Sequence, residues 1–143
     1  DLHLSADVRM TSFMKECERQ GVACKVYSAS EQMLWDMEYM PLINRIFMEN
    51  PDMDGIFASS DIIAAQCIQM AGTLGYRIPE DIKIVGYDDI CLSRLLYPPL
   101  TTVHQDIKGL AKTAMDTVEK LIEGKQVPES QVVSVSFIER KTT

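Results

Sequence analysis

Residues 82–106 read IKIVGYDDICLSRLLYPPLTTVHQD, and their first eight, Ile82-Lys83-Ile84-Val85-Gly86-Tyr87-Asp88-Asp89, set the reading of the whole chain. Ile82, Ile84 and Val85 make the short apolar run of a buried strand. The run stops at Gly86 and delivers two adjacent carboxylates, Asp88 and Asp89, just past its end. In an open α/β sheet small ligands bind beyond the carboxyl ends of the strands, so charge stands where a ligand would sit. Further on, Pro98-Pro99 fixes φ twice and removes two backbone donors, and the chain leaves this β/α unit extended and stiff.

Outward from that stretch the order is alternately β and α. Apolar residues at Val8, Met10, Phe13, Met14 and Cys17 predict a helix over residues 5–20, stopped by Gly21. Residues 22–27 alternate as a strand does. Helical spacing returns over 32–49, where Pro41 requires either a kink or a helix that starts near it. A strand at 55–58, a helix at 60–74 ended by Gly75, and strands at 83–86 and 101–104 follow. A helix at 108–123 stopped by Gly124 and a last strand at 132–138 complete the order. Strands alternating with helices imply an α/β fold with a mostly parallel sheet flanked by helices.

Composition narrows the function classes. At 143 residues, 46% of them hydrophobic, the chain fits about one domain with a real core. No apolar stretch approaches the roughly 20 residues that span a bilayer, and no signal peptide opens the sequence. The net charge of −7 argues against nucleic-acid binding by this chain itself, since phosphate neutralisation needs a basic face. Four cysteines, Cys17, Cys24, Cys67 and Cys91, show no C-x-x-C pairing, which points to reduced, mostly buried thiols in a cytoplasmic protein. His3 and His104 are too few and too separated for a metal site. There is no G-x-S-x-G, P-loop or dinucleotide fingerprint, and no cofactor is expected.

Strand–Gly–aromatic–Asp–Asp followed by Pro98-Pro99-Leu100-Thr101-Thr102-Val103 resembles the effector-binding core of the LacI/GalR family of bacterial transcription repressors. Asp54-Gly55-Ile56-Phe57-Ala58-Ser59-Ser60-Asp61 with Ala64-Ala65 matches the family's strand that ends in a polar residue and Asp before an Ala-rich helix. Gly75-Tyr76-Arg77-Ile78-Pro79-Glu80-Asp81 matches its G-x-x-I-P-E-D linker. Ile138-Glu139-Arg140-Lys141-Thr142-Thr143 is similar to its closing strand. Arg9-Met10-Thr11-Ser12-Phe13 resembles R-x-x-G-F with Ser12 in place of Gly. The resemblance spans nearly the whole chain and implies one lobe of a periplasmic-binding-protein-like (type I) sensor. It further implies that the chain is the C-terminal part of a longer regulator, with its DNA-binding head and first lobe ahead of residue 1. Residues 1–99 would be the C-terminal lobe, 100–131 a crossover strand and helix of the first lobe, and 132–143 the returning strand. The helix at 108–123, deprived of that lobe, would pack on its own body or swap with a neighbour.

The resemblance also assigns the site. Asp88 would contact the ligand, because a carboxylate accepts bidentate hydrogen bonds from vicinal sugar hydroxyls. Asp89 would be structural, capping the next helix; both carboxylates simply capping 90–95 is the plainer alternative. Ser60 stands where the family often has a ligand-binding Asn. Asp61 is a helix cap or a further ligand contact. Arg9 offers the rigid multi-donor fork that grips a hydroxyl or carboxylate. Trp35, the only tryptophan, is either core or a ring stacked on a sugar face. Ile107 occupies the place of an aromatic lid. Leu92, Leu95, Leu96 and Tyr97, with Ala65, Ile68 and Gln69, would form a homodimer surface, most of all Leu96, Tyr97, Ala65 and Gln69.

The function so implied is effector sensing, the effector a sugar, in a LacI-type repressor that binds operator DNA through its absent head. A periplasmic sugar-binding protein shares the fold, but unpaired cysteines and the closing motif speak against it. A glycosidase-like enzyme built on Asp61, Asp88 and Asp89 is the third reading, and it lacks a second acid at the required separation. The motifs do not discriminate between sucrose, another disaccharide, a phosphorylated sugar and a purine.

Overall fold

The computed structural model describes residues 4–143, with side chains from residue 8 onward. His3 lies outside the described residues. The elements run α1 (Leu4–Gln20), α2 (Glu31–Asp36), α3 (Met40–Glu49), β1 (Gly55–Phe57), α4 (Asp61–Thr73), β2 (Lys83–Asp88), α5 (Leu92–Leu95), β3 (Thr101–Gln105), α6 (Ile107–Ile122) and β4 (Val135–Ile138). Four strands form one sheet in the order β1-β2-β3-β4. The β1–β2 and β2–β3 pairs are parallel and β3–β4 is antiparallel, so the sheet is mostly parallel as expected.

The core lies where α3 and α4 meet the middle of this sheet. Ile82, Ile84 and Leu100 are fully buried with Ala64, Cys67 and Ala71 of α4 and Ile43 and Phe47 of α3. Each of the large aliphatic side chains contributes roughly 1.5–3 kcal/mol by leaving water. Positions 61, 64, 67, 68, 70 and 71 of α4 are the buried ones, a helical period, so one face of that helix meets the sheet. Gly86 makes the approach possible: a Cβ there would strike the Asp61 carboxylate, and would come within 2.8 Å of Leu100 Cδ2. Burial pushes the Cys67 thiol up to about 12.

Local chemistry sets the helix ends. Gly21, at φ +67°, closes α1, with its N–H donating to the Glu18 carbonyl and that of Val22 to the Cys17 carbonyl. Over 32–49 the second alternative holds: α2 ends at Met37 in the left-handed region (φ 51°), and α3 begins with Pro41 in its first turn.

Several expectations are corrected. Residues 22–27 form no strand. No described strand pairs with them, and side chains hold them instead, Lys25 Nζ donating to Asn50 Oδ1 and Tyr27 Oη to Glu49 Oε2. Among the thiols only Cys67 is buried; Cys24 and Cys91 are exposed, and all four are free. Helix α6 does not pack on its own body: none of its residues is buried, and Ile122 is 81% exposed.

Candidate functional site

At the carboxyl end of β2 the backbone takes two unusual steps, Asp88 at φ 114° and Asp89 at φ 55°. Non-glycine residues at such angles are strained by about 1–3 kcal/mol and hold them only where the surroundings insist. The two turns send the adjacent carboxylates to different partners. Asp88 Oδ1 accepts a hydrogen bond from Gln105 Nε2 at 2.6 Å, and Oδ2 takes none from any described residue. Burial raises the Asp88 pKa; Gln105 pulls it down, the Asp61 charge pushes it up and the Arg9 charge lowers it, and the balance stays above the usual aspartate value.

Helix α1 brings Arg9 to the same end of the sheet. Its guanidinium lies 4.2 Å over the Tyr87 ring, and Nη1 donates to the Ser59 carbonyl at 3.2 Å. The ring and the carbonyl hold the fork in place beside Asp88. Phe13, one turn along α1, stacks on Phe57 with centroids 4.9 Å apart, which seats the helix on β1. Ser60 Oγ accepts from the Ile63 N–H and caps α4, so its hydroxyl proton is the part left to offer a ligand.

Asp61 is no ligand contact. Its side chain is fully buried; Oδ1 accepts from Thr102 Oγ1 at 2.5 Å and Oδ2 from the Ile90 N–H at 2.9 Å. It ties α4 to β3 and to the turn after β2. Nor does Asp89 cap the next helix, as α5 has no side-chain cap. Its side chain is 6% exposed and meets Arg140 Nη2 at 2.6 Å, His104 Nδ1 at 3.0 Å and Ser93 Oγ at 3.1 Å. Burial raises its pKa, but the bonds from Arg140 and Ser93, the Arg140 charge and His104 together bring it below the usual carboxylate value. Arg140 also donates to the Leu100 carbonyl at 2.7 Å, so one guanidinium fastens the β2 turn to the closing segment.

Arg9, Ser60 and Asp88 thus gather at one end of the sheet. Trp35, on α2, is 83% exposed and so is no core residue; no ring contact or hydrogen bond links it to Arg9 or Asp88. Ile107 opens α6, exposed. On the α4–α5 side Tyr97 is 95% exposed and Gln69 exposed, while Ala65 is half-buried. Leu96 packs partly against the core, and its neighbour Leu95 takes the exposed place beside Tyr97. Gln105, Tyr87 and Arg140 escaped the sequence reading as site-building residues. Gln105 and Arg140 stand inside quoted motifs, yet spacing alone gives no sign that they reach the two carboxylates. Among the described residues no group of three or more His, Cys, Asp or Glu side chains could hold a metal.

The sequence matches the family described as periplasmic binding protein-like domain over residues 2–143. The ribose operon repressor of Halalkalibacterium halodurans is 36% identical over 140 residues, 96% of this chain and 41% of that protein. A dimeric lac repressor with an 11-residue C-terminal deletion superposes with a TM-score of 0.87 at 28% identity, covering 98% of this chain and 51% of that one. A LacI family regulator from Arthrobacter sp. FB24 in complex with lactose gives 0.83 at 26% identity, covering 95% and 51%. The chain spans about two fifths of the first relative's length and about half of each solved chain.

Proposed function

As this chain belongs to the LacI/GalR-type effector-binding domains of the periplasmic binding protein-like family, we propose that it is the effector-sensing and dimerising part of a cytoplasmic, DNA-binding transcriptional repressor whose effector is a sugar. The observation that carries this is the pairing of Asp88, one carboxylate oxygen bonded and the other open, with a fixed guanidinium at the strand ends. Vicinal hydroxyls donate to the carboxylate and accept from Arg9 and Ser60, and Trp35 offers an aromatic face to the C–H side of a sugar. Relatives named for ribose and lactose support a sugar over other hydroxylated ligands. Because Asp61 and Asp89 are already engaged, Asp88 has no partner acid for glycoside cleavage, which favours binding over turnover. Four free thiols, two of them exposed, suit a reducing compartment.

In the intact protein residues 1–99 form the second lobe, and α6, within 100–131, lies against a first lobe. The apolar face of α6, Leu110, Met115, Val118, Leu121 and Ile122, stands open without it. Effector closing the two lobes would shift how a homodimer, joined through Tyr97, Leu95, Leu96, Ala65 and Gln69, presents its DNA-binding heads to the operator. Such couplings amount to about 1–3 kcal/mol. The test is the native protein in cell extract, detected with antibody to this chain. A mass more than twice 16.1 kDa, retention on DNA-cellulose and release by salt are expected. A native mass near 16.1 kDa with no retention overturns the repressor reading.

A further inference from the structure

We propose that Cys17 and Cys24 are a thiol–disulfide modification site: a low-molecular-weight disulfide oxidises the pair to one intrachain bond, which pins the end of the helix that carries Arg9. Backbone geometry brings the two together. Helix α1 stops at Gly21 in the left-handed region (φ +67°), and the Val22 N–H turns back to donate to the Cys17 carbonyl at 2.9 Å. Beyond the turn, Val22 and Cys24 line one groove with Met14, Cys17 and Glu18, which share a face of α1 at helical spacing. In that groove the Cys24 thiol lies within hydrogen-bonding reach of Cys17. Burial, then the charge of Cys17 and the hydrogen bond to it, raise the Cys24 pKa, since a thiolate beside a second sulfur is disfavoured. A bond between the sulfurs removes both protons and leaves no neighbouring charges.

The two sulfurs sit on parts of the chain that are held unequally. Lys25 donates to Asn50 Oδ1 at 2.6 Å and Tyr27 to Glu49 Oε2 at 2.8 Å, so the Cys24 segment is fastened to the end of α3. From residue 8 onward α1 has no buried residue, and it meets the sheet through Phe13 on Phe57 and Arg9 over Tyr87. A bond at Cys17 therefore ties a lightly seated helix to an anchored segment. Cys24, the more exposed thiol, attacks one sulfur of the oxidant RSSR as its thiolate and expels RS⁻. Cys17, deprotonated in turn, attacks the Cys24 sulfur of the mixed disulfide and expels the second RS⁻. Two protein thiols lose two protons and two electrons, and the oxidant leaves as two RSH. The raised Cys24 pKa slows the first attack at neutral pH, so the test is read at equilibrium. In a reducing compartment such a bond forms when oxidant rises and is undone by the same exchange.

The chain is equilibrated with mixtures of oxidised and reduced glutathione, the remaining thiols are alkylated, and the peptides are mapped by mass. The Cys17–Cys24 link should form in the folded chain at an oxidised-to-reduced ratio about tenfold lower than in the same chain in urea. Cys91, exposed and outside the groove, should carry a glutathione adduct at most, and buried Cys67 should stay reduced. In Cys17→Ser, Cys24 should stop at the mixed glutathione disulfide. Should that variant unfold, Cys24→Ser gives the reciprocal result at Cys17. Amide hydrogen exchange at residues 17–22 should slow severalfold in the oxidised chain while that of β2 stays the same. A link no easier in the folded chain than in urea, Cys24 paired with Cys91 instead, or exchange at the end of α1 unchanged by the bond overturns the proposal.

Discussion

Asp88 holds a backbone angle that glycine would take without strain, φ 114°, and so pays in stability for the carboxylate it presents. Comparison of Asp88→Gly with Asp88→Ala isolates that strain, since both remove the carboxylate and only glycine relaxes the backbone. Gly should unfold about 1–2 kcal/mol later than Ala by urea titration. Equal stability would mean the turn is unstrained. Asp89 shows the opposite economy, a buried carboxylate held below its usual value near 3.8 by its partners. A depressed carboxylate stabilises the fold above the unfolded value, and that contribution is lost as pH falls through the folded one. Asp89→Asn, which leaves Arg140 without its ion-pair partner, should lose about 3 kcal/mol at pH 7. The gap to the unsubstituted chain should close as the pH drops below about 3.8, which urea unfolding at pH 7, 4 and 3 will measure.

Among the elements, α2 depends most on a neighbour. Six residues are too short for a helix to persist alone, and none of them is buried. What holds the arm is Gln66 of α4, whose Oε1 accepts from the Tyr39 N–H and whose Nε2 donates to the Met37 carbonyl, both at 2.8 Å. Ser30 caps its start, and Met33 reaches the core. Gln66→Leu removes both bonds at similar size and should cost about 1–2 kcal/mol. Its specific sign is greater local motion of Trp35, read as lower fluorescence anisotropy of the chain's one tryptophan in a variant that still unfolds cooperatively. Unchanged anisotropy would show that Met33 and the Ser30 cap suffice. The break between α2 and α3 was legible as a choice, because Pro41 permits a helix that starts at it and forbids one that runs through it. The absence of a strand at 22–27 was not legible, since alternation gives a segment its faces but not a neighbour to pair with.

For the molecule as a whole, α6 is the exposed liability. Its open apolar face predicts that this chain binds a hydrophobic dye such as ANS and self-associates as its concentration rises. The double variant Val118→Lys with Leu121→Glu should reduce both severalfold without changing near-UV circular dichroism, because neither residue touches the core. Dye binding that persists in the variant would locate the sticky surface elsewhere, with Tyr97 and Leu95 next in line.

The sequence by itself determined most of the order of strands and helices, the mostly parallel sheet and the end of it where Asp88 and Asp89 stand. Apolar periodicity, glycine stops and the Gly86–Asp89 turn are local properties, and local properties survive in a one-dimensional reading. Arg9, Ser60 and Asp88 could be named because each falls in a motif at the end of an element. Only the tertiary structure decided which carboxylate keeps an open oxygen and which are sealed. Asp61, Asp88 and Asp89 are alike in sequence, and what separates them is Thr102 and the Ile90 N–H, Gln105, and Arg140 with His104. Those partners come from 15 to 51 residues away. The physical reason is that a carboxylate's role is set by the donors and charges within a few ångströms of it, and folding alone brings those together.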